Sequence, residues 1–568
     1  MSCLNNTKSK IAYFSLEILL NTNIPNYAGG LGVLAGDILR SASEKLIPML
    51  GVSLIYWGDT YNQKINSDGT QTFYYHSWSK QDQLIRLPHK IILNVKGSDI
   101  TVGCWRYDIV NLKGNFIIPV YLLDTQFPQN PQWAQDITKY LYSSNPEIRI
   151  MQEYLLGFGG KKMLEKLGEN KVKNYILNEG HCAFVPLSLL PNYNYNDEEV
   201  KKRCLFITHT PVAAGHDYFN YDQVYQIVGE KNIPWHIKKI AGQDLFSTTF
   251  LAKSLSCKTL AVSKKHQQVT KHLLNSNDID HVTNGICLKN WIHPYLQDFY
   301  TSKLGDWVSN PKLLQQAVKR IDSNSLYYYH LQAKKELISY VNQHLIAFVG
   351  EPNIPKEAYF NLETLTLSLA RRPVAYKRPL LLYKDLERLA NIGKNKLQII
   401  QCGKSYPNDF VSQNIVKSVV DFAKKLKYSL RIVYLEDYSP KIAKMLVAGT
   451  DLWLNTPTKP LEASGTSGMK AAVNGALNFS VLDGWWIEAV EFAPLSGFSI
   501  GEYYSGVEQV DTYNQDADSL YNTLEKQVIP LYYGNKKEWI NRMKHAITLG
   551  AYFNTQRVLE DYMKFLCI

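Results

Sequence analysis

The amino-acid sequence predicts an α/β protein made of two Rossmann-like, doubly wound domains that face a common cleft. The chain has 568 residues, which is too long for a single hydrophobic core and favours at least two domains. Short apolar or β-branched runs alternate with amphipathic stretches at the spacing of βαβ units, which is typical of parallel sheets. Apolar residues make up 45% and charged residues 20% of the chain, so an ordinary folded protein is expected rather than a disordered or fibrous one.

The second half of the chain shows this alternation most clearly. It predicts strands at 397–403, 431–437, 451–456 and 476–481. Helices are expected from Phe410 to Leu426, at about 440–448, and from a start near Thr466. The regular alternation of strand and helix predicts a doubly wound parallel sheet.

The first half follows the same alternation less regularly and predicts another Rossmann-like domain. Its expected strands lie at 11–17, 49–57, 116–124, 174–179 and 204–210. The changeover is placed near Asn284, which gives domains at 1–283 and 284–568. Ligands of open α/β sheets bind beyond the carboxyl ends of the strands, so two facing domains predict a site in the cleft between them.

Composition and cysteine spacing argue against several other classes of protein. No apolar run reaches the roughly 18 residues of a membrane span, and the N-terminus lacks an apolar core of signal-peptide length. The eight cysteines form no CxxC pair, so neither a zinc site nor a disulfide framework is expected, and a reducing cytoplasm fits best. The net charge of +11 comes without a dense basic stripe, so no nucleic-acid partner is expected.

The most informative stretch is the glycine-rich loop PLEASGTSGMKAAVNGAL at 460–477, which follows a predicted strand and opens a helix. The amide groups and positive dipole end of a helix start can hold a phosphate. Lys470 lies one turn into this helix, after the predicted phosphate cradle of Gly465, Thr466, Ser467 and Gly468. Such a lysine could bind pyridoxal as a Schiff base while the loop binds its phosphate. Taken alone, a tight loop with a surface lysine is the commoner explanation.

A second cluster, LARRPVAYKRPLL at 369–381, follows another predicted strand. It gathers four cations, namely Arg371, Arg372, Lys377 and Arg378. Gathering like charges is costly unless anions neutralise them, and two phosphates would do so. A solvated basic turn explains this cluster equally well when it is considered alone.

Motifs in the first half place glycines and polar side chains after predicted strands. Gly29, Gly30 and Gly32 would let the backbone approach a ligand closely, although by themselves they indicate only a turn. Strand-end positions, where site residues occur, are also occupied by Glu179, His181, His209 and His216. A lone histidine at such a position is more often structural, and no compact set of histidines and carboxylates predicts a metal site.

Tryptophans occur in two further motifs. VTNGICLKNW at 282–291 combines a turn at Asn284 and Gly285 with Trp291, which could pack in the core or form a wall of a cofactor pocket. The pair in LDGWWIEA could stack on a sugar or fill a domain core. Core packing is the default in both cases.

Taken in order, these motifs resemble the α-glucan (glycogen or maltodextrin) phosphorylase family, in its short bacterial and archaeal type. The likeness extends from about residue 11 to 490 and rests on YFSLE, YAGGLGVLAGD, LNEGH, THTPVAAGHD, TNGI followed by a tryptophan, ARRPVAYKRPLLL, YLEDY and WLNTPTKPLEASGTSGMKAAVNGALNFSVLDGWW. The resemblance implies a GT-B fold. Its N-terminal domain would form the glucan and phosphate side of the cleft, and its C-terminal domain would bind pyridoxal 5'-phosphate.

The resemblance also implies roles for residues in the cofactor and phosphate sites. Lys470 matches the Schiff-base lysine. The rest of the implied cofactor site is Thr466, Ser467, Gly468, Arg371 and Trp291. The substrate phosphate would be held by Arg372 and Lys377, with backbone from Gly29 and Gly30.

The implied sugar site is a separate set. The glucosyl unit would be bound by Glu462, Tyr376, Asn284, His209 and the backbone at Ser464 and Gly465. Glu179 and His181 complete the expected substrate-binding residues. The expected catalytic residues are Lys470, Arg372, Lys377, His209 and Glu462.

The implied reaction is phosphorolysis of an α-1,4-glucan at its non-reducing end, which releases α-D-glucose 1-phosphate with retention of configuration. Inorganic phosphate, next to the cofactor phosphate, would protonate the glycosidic oxygen and then attack the same face, unlike the two-carboxylate glycosidases. The oxocarbenium-like transition state would be stabilised by polar backbone groups, with the carbonyl of His209 among them.

Two other functions remain open at this point. A synthase-like glucosyltransferase that uses a nucleotide sugar shares the GT-B fold but gives no reason for Lys470 in its loop. A catalytically silent glucan-binding homologue is the other alternative, because fold does not guarantee activity. The short segment before the GGLG motif makes control by phosphorylation or nucleotide effectors unexpected, and a homodimer is compatible with the family.

Overall fold

The chain folds as two compact units in a computed structural model, which describes residues 10–349 and 358–566. Among these residues, the first unit comprises 10–60, 77–283 and 555–566, and the second comprises 61–76, 284–349 and 358–554. The predicted ranges 1–283 and 284–568 are thus corrected in two places. Residues 61–76 pack with the second unit and residues 555–566 with the first, because long-range contacts decide membership. Of the cysteines, Cys3 and Cys567 lie outside the described residues, and the others are free thiols.

The strands are numbered in chain order. They are β1 (Lys10–Phe14), β2 (Met49–Leu54), β3 (Thr60–Ile65), β4 (Gln71–His76), β5 (Ile85–Val95), β6 (Ser98–Val110), β7 (Ile117–Asp124), β8 (Val172–Asn178), β9 (Cys204–Ile207), β10 (Tyr218–Asn220), β11 (Leu245–Ser247), β12 (Lys258–Ala261), β13 (Ile279–His281), β14 (Leu365–Ala370), β15 (Leu397–Cys402), β16 (Arg431–Leu435), β17 (Leu452–Asn455), β18 (Leu477–Val481) and β19 (Gly497–Ile500).

The α-helices are numbered in the same way. They are α1 (Gly30–Glu44), α2 (Gln132–Gln135), α3 (Pro146–Tyr154), α4 (Gly160–Lys166), α5 (Phe184–Leu189), α6 (Asp197–Lys201), α7 (Tyr221–Val228), α8 (Ile237–Ala241), α9 (Thr248–Ser254), α10 (Lys264–Leu273), α11 (Leu288–Trp291), α12 (Pro294–Leu304), α13 (Ala317–Arg320), α14 (Ser323–Val349), α15 (Leu386–Gly393), α16 (Phe410–Leu426), α17 (Pro440–Gly449), α18 (Ser467–Ala472), α19 (Trp485–Phe492), α20 (Tyr513–Thr523), α21 (Ile529–Gly534), α22 (Lys536–Thr548) and α23 (Thr555–Phe565).

The first unit is built on a sheet whose strand order, over the described residues, is β13-β12-β9-β8-β1-β2-β7-β6-β5. Its strands from β13 to β7 are parallel, whereas β5 and β6 form an antiparallel edge. That edge was not predicted. Strand β5 alternates between exposed and half-buried residues, so it lacks the continuous apolar run of the central strands.

The second unit is built on a sheet with the order β16-β15-β14-β17-β18-β19 among its described residues, and all of its pairs are parallel. Its four predicted strands and the helix Phe410–Leu426 are confirmed, each within two residues. Strands β14 and β15 are buried along their whole length, as expected for strands covered by helices on both faces. The observed architecture therefore confirms the predicted α/β fold class.

No helix in residues 10–349 and 358–566 is both long enough and apolar enough to cross a membrane.

Candidate functional site

Both large sheets reverse their strand order between strands that are followed by candidate site residues. In the second unit the reversal lies between β14 and β17, and Arg371 and the glycine-rich loop follow these strands. In the first unit it lies between β1 and β8, which are followed by Glu17 and Glu179. Ligands of open α/β sheets bind at such switch points, so each unit carries one candidate cluster.

The second-unit cluster comprises Trp291, Arg371, Arg372, Tyr376, Lys377, Glu462, Ser464 and Lys470. The first-unit cluster comprises Glu17, Gly29, Gly30, Glu179, His181 and His209.

Lys470 lies inside the second unit, with only 8% of its surface exposed. It belongs to α18, and its ammonium lies 4.0 Å from the centre of the Trp291 ring. Trp291 is itself buried. A cation on the face of a buried indole is a favourable contact, and the alternative of a surface lysine in a tight loop is therefore wrong.

The glycine-rich loop needs two of its glycines for different reasons. Gly465 has a φ of +88°, which lies in the left-handed region that favours glycine. A Cβ on Gly468 would lie 2.2 Å from Oδ1 of Asn478, so only glycine lets the start of α18 approach β18. Asn478 fixes this contact by donating a hydrogen bond to the Gly468 carbonyl at 3.0 Å.

The side chain of Ser467 has partners inside the fold. Its hydroxyl accepts a hydrogen bond from Nε1 of Trp453 at 3.2 Å and donates to Oδ1 of Asn455 at 3.4 Å. These bonds anchor α18 to β17 through the hydroxyl, and contact of Ser467 with a cofactor phosphate stays a prediction. The Thr466 side chain caps no amide of α18, and its contact with a cofactor phosphate stays a prediction.

Two buried polar groups of the second-unit cluster have no hydrogen-bond partner among the described residues. They are Nη1 of Arg371 and the hydroxyl of Ser464. Arg371 makes one long hydrogen bond, from Nη2 to the Leu454 carbonyl at 3.5 Å, and burial lowers its pKa. Buried donors without acceptors are costly. An anionic group bound here would satisfy them, so these residues fit a phosphate-bearing cofactor.

Lys377 and Glu462 form an ion pair, with side chains 17% and 13% exposed. The lysine ammonium also lies 4.7 Å from the centre of the Tyr376 ring. Glu462 is held through its backbone amide, which donates to Oδ2 of Asp483 at 2.9 Å. The sequence predicted separate ligands for the two charges, a phosphate and a sugar. Because the charges already neutralise each other, an anion must compete with Glu462 for Lys377.

The four cations at 371–378 do not act together. Arg378 is buried, donates to Oδ2 of Asp516 at 2.7 Å and also binds two backbone carbonyls. The interpretation that two phosphates neutralise all four cations is therefore wrong for Arg378. Arg372 has a half-exposed side chain that lies 4.4 Å from the Tyr406 ring centre and 3.3 Å from Asp409. It is thus open to an anion from solution.

The remaining predicted residues of the second unit differ in exposure. Asn284 is buried beside Gly285, where an added Cβ would lie 2.4 Å from the backbone of Asn554. Tyr376 is 40% exposed, and its carbonyl accepts the Thr458 amide at 2.7 Å. The tyrosine ring is therefore accessible to a ligand, whereas Asn284 lies within the fold.

The glycine motif of the first unit is held by Glu17, a residue not singled out from the sequence. One carboxylate oxygen of this buried residue accepts the backbone amides of Ala28 at 2.7 Å and Gly29 at 3.1 Å. The other accepts the hydroxyl of Tyr142 at 2.7 Å. Among the described residues, nothing lies within 4 Å of a Cβ built on Gly29 or Gly30. The loop is thus fixed from one side and open on the other. The position of Glu17 just after β1 is the sequence feature that could have identified it as a site residue.

Glu179 holds the segment that carries His209. Its φ of +84° is unusual for a residue other than glycine. One oxygen accepts the His209 amide at 2.7 Å and the Thr210 hydroxyl at 3.0 Å, and the other accepts the Gly180 amide at 2.9 Å. These contacts support a positioning function, and direct contact of Glu179 with substrate stays a prediction.

His209 is held in one tautomer by a chain of hydrogen bonds. Ser15 donates to the carbonyl of Glu17 at 2.8 Å and accepts from Nδ2 of Asn178 at 3.0 Å. Oδ1 of Asn178 therefore faces Nε2 of His209, at 2.8 Å. This order assigns the imidazole proton to Nε2, and burial lowers the pKa of His209 to about 3.

We expect His209 to stay neutral until the pH approaches 3. NMR titration of histidine-labelled protein measures this, and the resonance that is missing in His209→Gln identifies His209. Its folded pKa of about 3 lies below the unfolded value of about 6.5. The residue therefore contributes stability that is complete above pH about 6.5 and is lost as the pH falls towards 3. A His209 resonance that titrates near pH 6.5 in the folded protein would contradict the assigned hydrogen bonding.

The other two histidines of the first unit have structural contacts. Nε2 of the buried His181 accepts the Leu16 amide at 3.0 Å, and burial, then Arg149, lowers its pKa well below the ordinary value. Nδ1 of His216 pairs with the Thr249 hydroxyl at 2.8 Å. These contacts favour the structural alternative for both histidines, and the predicted contact of His181 with substrate stays a prediction.

Comparison with known proteins gives a consistent result over nearly the whole chain. A family model described as carbohydrate phosphorylase matches residues 251–526. The chain is 33% identical to the glycogen phosphorylase of Aquifex aeolicus (strain VF5), over 98% of this chain and 86% of that protein. It is 34% identical to the maltodextrin phosphorylase of Thermococcus litoralis, over 97% of this chain and 70% of that protein. A glycogen phosphorylase of Mycobacterium tuberculosis (strain H37Rv) is 29% identical, over 98% and 70% respectively.

Proposed function

The chain belongs to the carbohydrate phosphorylase family, and from this premise we propose that it acts as an α-glucan phosphorylase. It transfers the terminal glucosyl unit of an α-1,4-glucan to inorganic phosphate and releases α-D-glucose 1-phosphate. The observation that carries the proposal is the buried Lys470 against Trp291, and the unsatisfied donors of Arg371 and Ser464 in the same unit support it. An enzyme that used a nucleotide sugar would have no need of this lysine.

Pyridoxal 5'-phosphate is the proposed cofactor. When bound, it supplies a phosphate whose second pKa of about 6 suits proton exchange near neutral pH. Lys470 would hold the pyridoxal, because it is a buried amine in a polar cluster. Arg371 would bind the cofactor phosphate through Nη1, with Thr466 beside it, and Trp291 would form an aromatic wall of the pocket.

The substrate phosphate would be bound by Arg372 and Lys377. Arg372 is open to solvent and can receive the anion first, whereas Lys377 must loosen its ion pair with Glu462. Release of Glu462 frees a carboxylate that can accept hydrogen bonds from sugar hydroxyls, beside the accessible ring of Tyr376. Phosphate binding and sugar binding would therefore assist each other through one ion pair.

For the first unit we propose binding through backbone groups rather than through charged side chains. The amide of Gly30 can donate to an anion, since Glu17 already accepts the Gly29 amide and holds the loop from its other side. The carbonyl of His209 can stabilise positive charge that develops on the sugar, because the neutral imidazole of the same residue does not repel that charge. Glu179 and Asn178 keep this segment in place.

The direct test is incubation of the purified protein with maltoheptaose or glycogen and inorganic phosphate. We expect phosphate-dependent release of glucose 1-phosphate, and borohydride treatment should attach pyridoxyl to Lys470. Glucosyl transfer from a nucleotide sugar without bound pyridoxal would instead favour the synthase-like function. Glucan binding with neither reaction would favour a silent homologue.

Replacing Arg372 with alanine should raise the KM for phosphate about tenfold or more, because a charge-assisted hydrogen bond contributes roughly 1.5–3 kcal/mol. The kcat at saturating phosphate should change less. Initial rates at varied phosphate measure this effect. Arg388→Ala is the control, since Arg388 lies on α15 and contacts Asn522 and Asp518. An unchanged KM in the Arg372 variant would overturn the assignment of that arginine.

A further inference from the structure

Asn474 lies in the turn after α18 and is completely buried. Its Nδ2 donates hydrogen bonds to the carbonyls of Lys470, at 2.8 Å, and Trp291, at 2.9 Å. Its Oδ1 accepts the backbone amide of His293 at 2.8 Å. One side chain thus ties the helix that carries the buried lysine to the backbone of Trp291 and of the segment directly after it.

Asparagine suits this position because a primary amide has two N–H donors and a carbonyl acceptor. Both carbonyls and the amide around Asn474 are thereby satisfied. Aspartate has the same shape but no donor, so it would place a carboxylate against two carbonyl oxygens. Serine offers one donor and is shorter, so it would leave a buried carbonyl without a partner.

The lysine and the indole belong to the two segments that Asn474 joins. The Lys470 ammonium lies 4.0 Å from the ring centre of Trp291, although the two residues are far apart in the sequence. The residue before Asn474, Val473, is held as well, because its carbonyl accepts the Tyr300 hydroxyl at 3.0 Å. The turn after α18 is therefore held by two hydrogen-bonded residues, Val473 and Asn474. Of these two, Asn474 is the one that also bonds to the segment carrying Trp291.

We propose that Asn474 is a positioning residue that fixes Trp291 against Lys470 and thereby sets how firmly the enzyme retains pyridoxal phosphate. The inference rests on the proposed function and deepens it by adding a residue that does not touch the reacting atoms. Loss of the Asn474 amide would act on the cofactor through Lys470 and Trp291, because α18 and the Trp291 segment could then move independently.

The experiment compares Asn474→Asp with a matched variant in the first unit, Asn130→Asp. Asn130 is also buried, donates to two backbone carbonyls, of Thr101 and Thr125, both at 2.8 Å, and accepts the Thr101 amide at 2.8 Å. The two substitutions therefore remove the same hydrogen bonds in different places. Release of cofactor from each holoenzyme is followed by its near-ultraviolet absorbance after transfer into cofactor-free buffer.

We expect Asn474→Asp to lose pyridoxal phosphate about tenfold faster than wild type or more, as the loss of one or two buried hydrogen bonds implies. Asn130→Asp should release pyridoxal phosphate at the wild-type rate, even if its melting temperature falls by as much as that of Asn474→Asp. The cofactor-dependent quenching of Trp291 fluorescence, isolated by subtracting the Trp291→Phe protein, should weaken only in the Asn474 variant. If aspartate prevents folding, Asn474→Ser and Asn130→Ser repeat the comparison without a buried charge.

Equal release rates in the Asn474 and Asn130 variants would overturn the inference and leave the proposed function intact. Faster release by Asn474→Asp in a Trp291→Phe background, by the same factor as in wild type, would also overturn it, because coupled residues should be non-additive. Wild-type protein that bound no pyridoxal phosphate would contradict the proposed function itself, and the inference with it.

Discussion

Lys470→Ala is expected to abolish phosphorolysis, lowering glucose 1-phosphate release roughly 10⁴-fold or more, the scale seen when one member of a catalytic unit is removed. The reason is that α18 presents this buried amine to the Trp291 ring, and the alanine variant has no amine there to hold pyridoxal. Product release from maltoheptaose measures the loss. Mass spectrometry of borohydride-treated protein should show the pyridoxyl group on the wild-type peptide alone.

Lys444→Ala is the matched control for this substitution. Lys444 also lies near the indole, 5.9 Å from the Trp291 ring centre, but it is exposed and bonds to Asn290 at 2.8 Å. Its removal should leave product release and pyridoxyl attachment near wild-type values. A Lys470→Ala protein that kept its activity and its bound pyridoxal would disprove both the cofactor site and the mechanism that depends on it.

Lys334→Met is expected to lower the free energy of unfolding by about 3–5 kcal/mol, the cost of leaving a buried charge without its partner. Nζ of the fully buried Lys334 lies 2.7 Å from Oδ2 of Asp451, whose other oxygen lies 3.0 Å from Nε2 of His330. Nζ also donates to the Thr364 carbonyl at 2.8 Å. Methionine keeps the length of the side chain and removes the charge, so denaturant unfolding at neutral pH reports the loss of the ion pair.

The pH dependence of this effect follows from Asp451. Burial by itself raises the pKa of Asp451, but Lys334 and His330 outweigh burial and hold it at about 2. The unfolded value is about 3.9, so the carboxylate contributes stability that is complete above pH about 4 and is lost as the pH falls through 2. The difference in free energy of unfolding between wild type and Lys334→Met should therefore become smaller as the pH falls over this range.

A surface ion pair of the same unit provides the control. Lys417 and Asp421 lie 2.8 Å apart with side chains 46% and 41% exposed, and such pairs contribute at most about 1 kcal/mol. Lys417→Met should thus unfold close to the wild-type denaturant concentration. If the two methionine variants were equally stable, the buried network would not stabilise the second unit as its contacts indicate.

Local sequence was sufficient for most parallel strands of both sheets and for α16, but β12, β13 and β19 were not predicted. The strands LQIIQC and LTLSLA are buried along their whole length because helices cover both faces of a parallel sheet. Their leucine and isoleucine residues are visible in the sequence without knowledge of their neighbours. The antiparallel edge of β5 and β6 escaped prediction because the frequent exposed residues of β5 leave it without a continuous apolar run. Helix α14 was not predicted because its region has a mixed, polar composition in which the helical periodicity of apolar residues is not evident.

The candidate site could be predicted only in part, for a similar reason. Lys470, Arg371 and Arg372 could be singled out because they lie in distinctive local motifs after predicted strands, and their contacts with cofactor and substrate stay predictions. Glu17 and Asn474 were missed because their roles depend on backbone groups at Gly29 and at Trp291, and a single acid or amide in a sequence carries no sign of such a partner. Arg378 was wrongly grouped with the anion-binding cations because Asp516, its partner, lies far along the chain.

The sequence by itself determined the fold class, most strand positions and the residue types of a phosphorylase site, because apolar periodicity and glycine-rich loops are properties of neighbouring residues. The tertiary structure alone decided which charges neutralise each other, which histidines are occupied by backbone amides, and to which unit 61–76 and 555–566 belong. Those outcomes depend on distances between residues far apart in the chain, and burial sets their energies only once such residues meet.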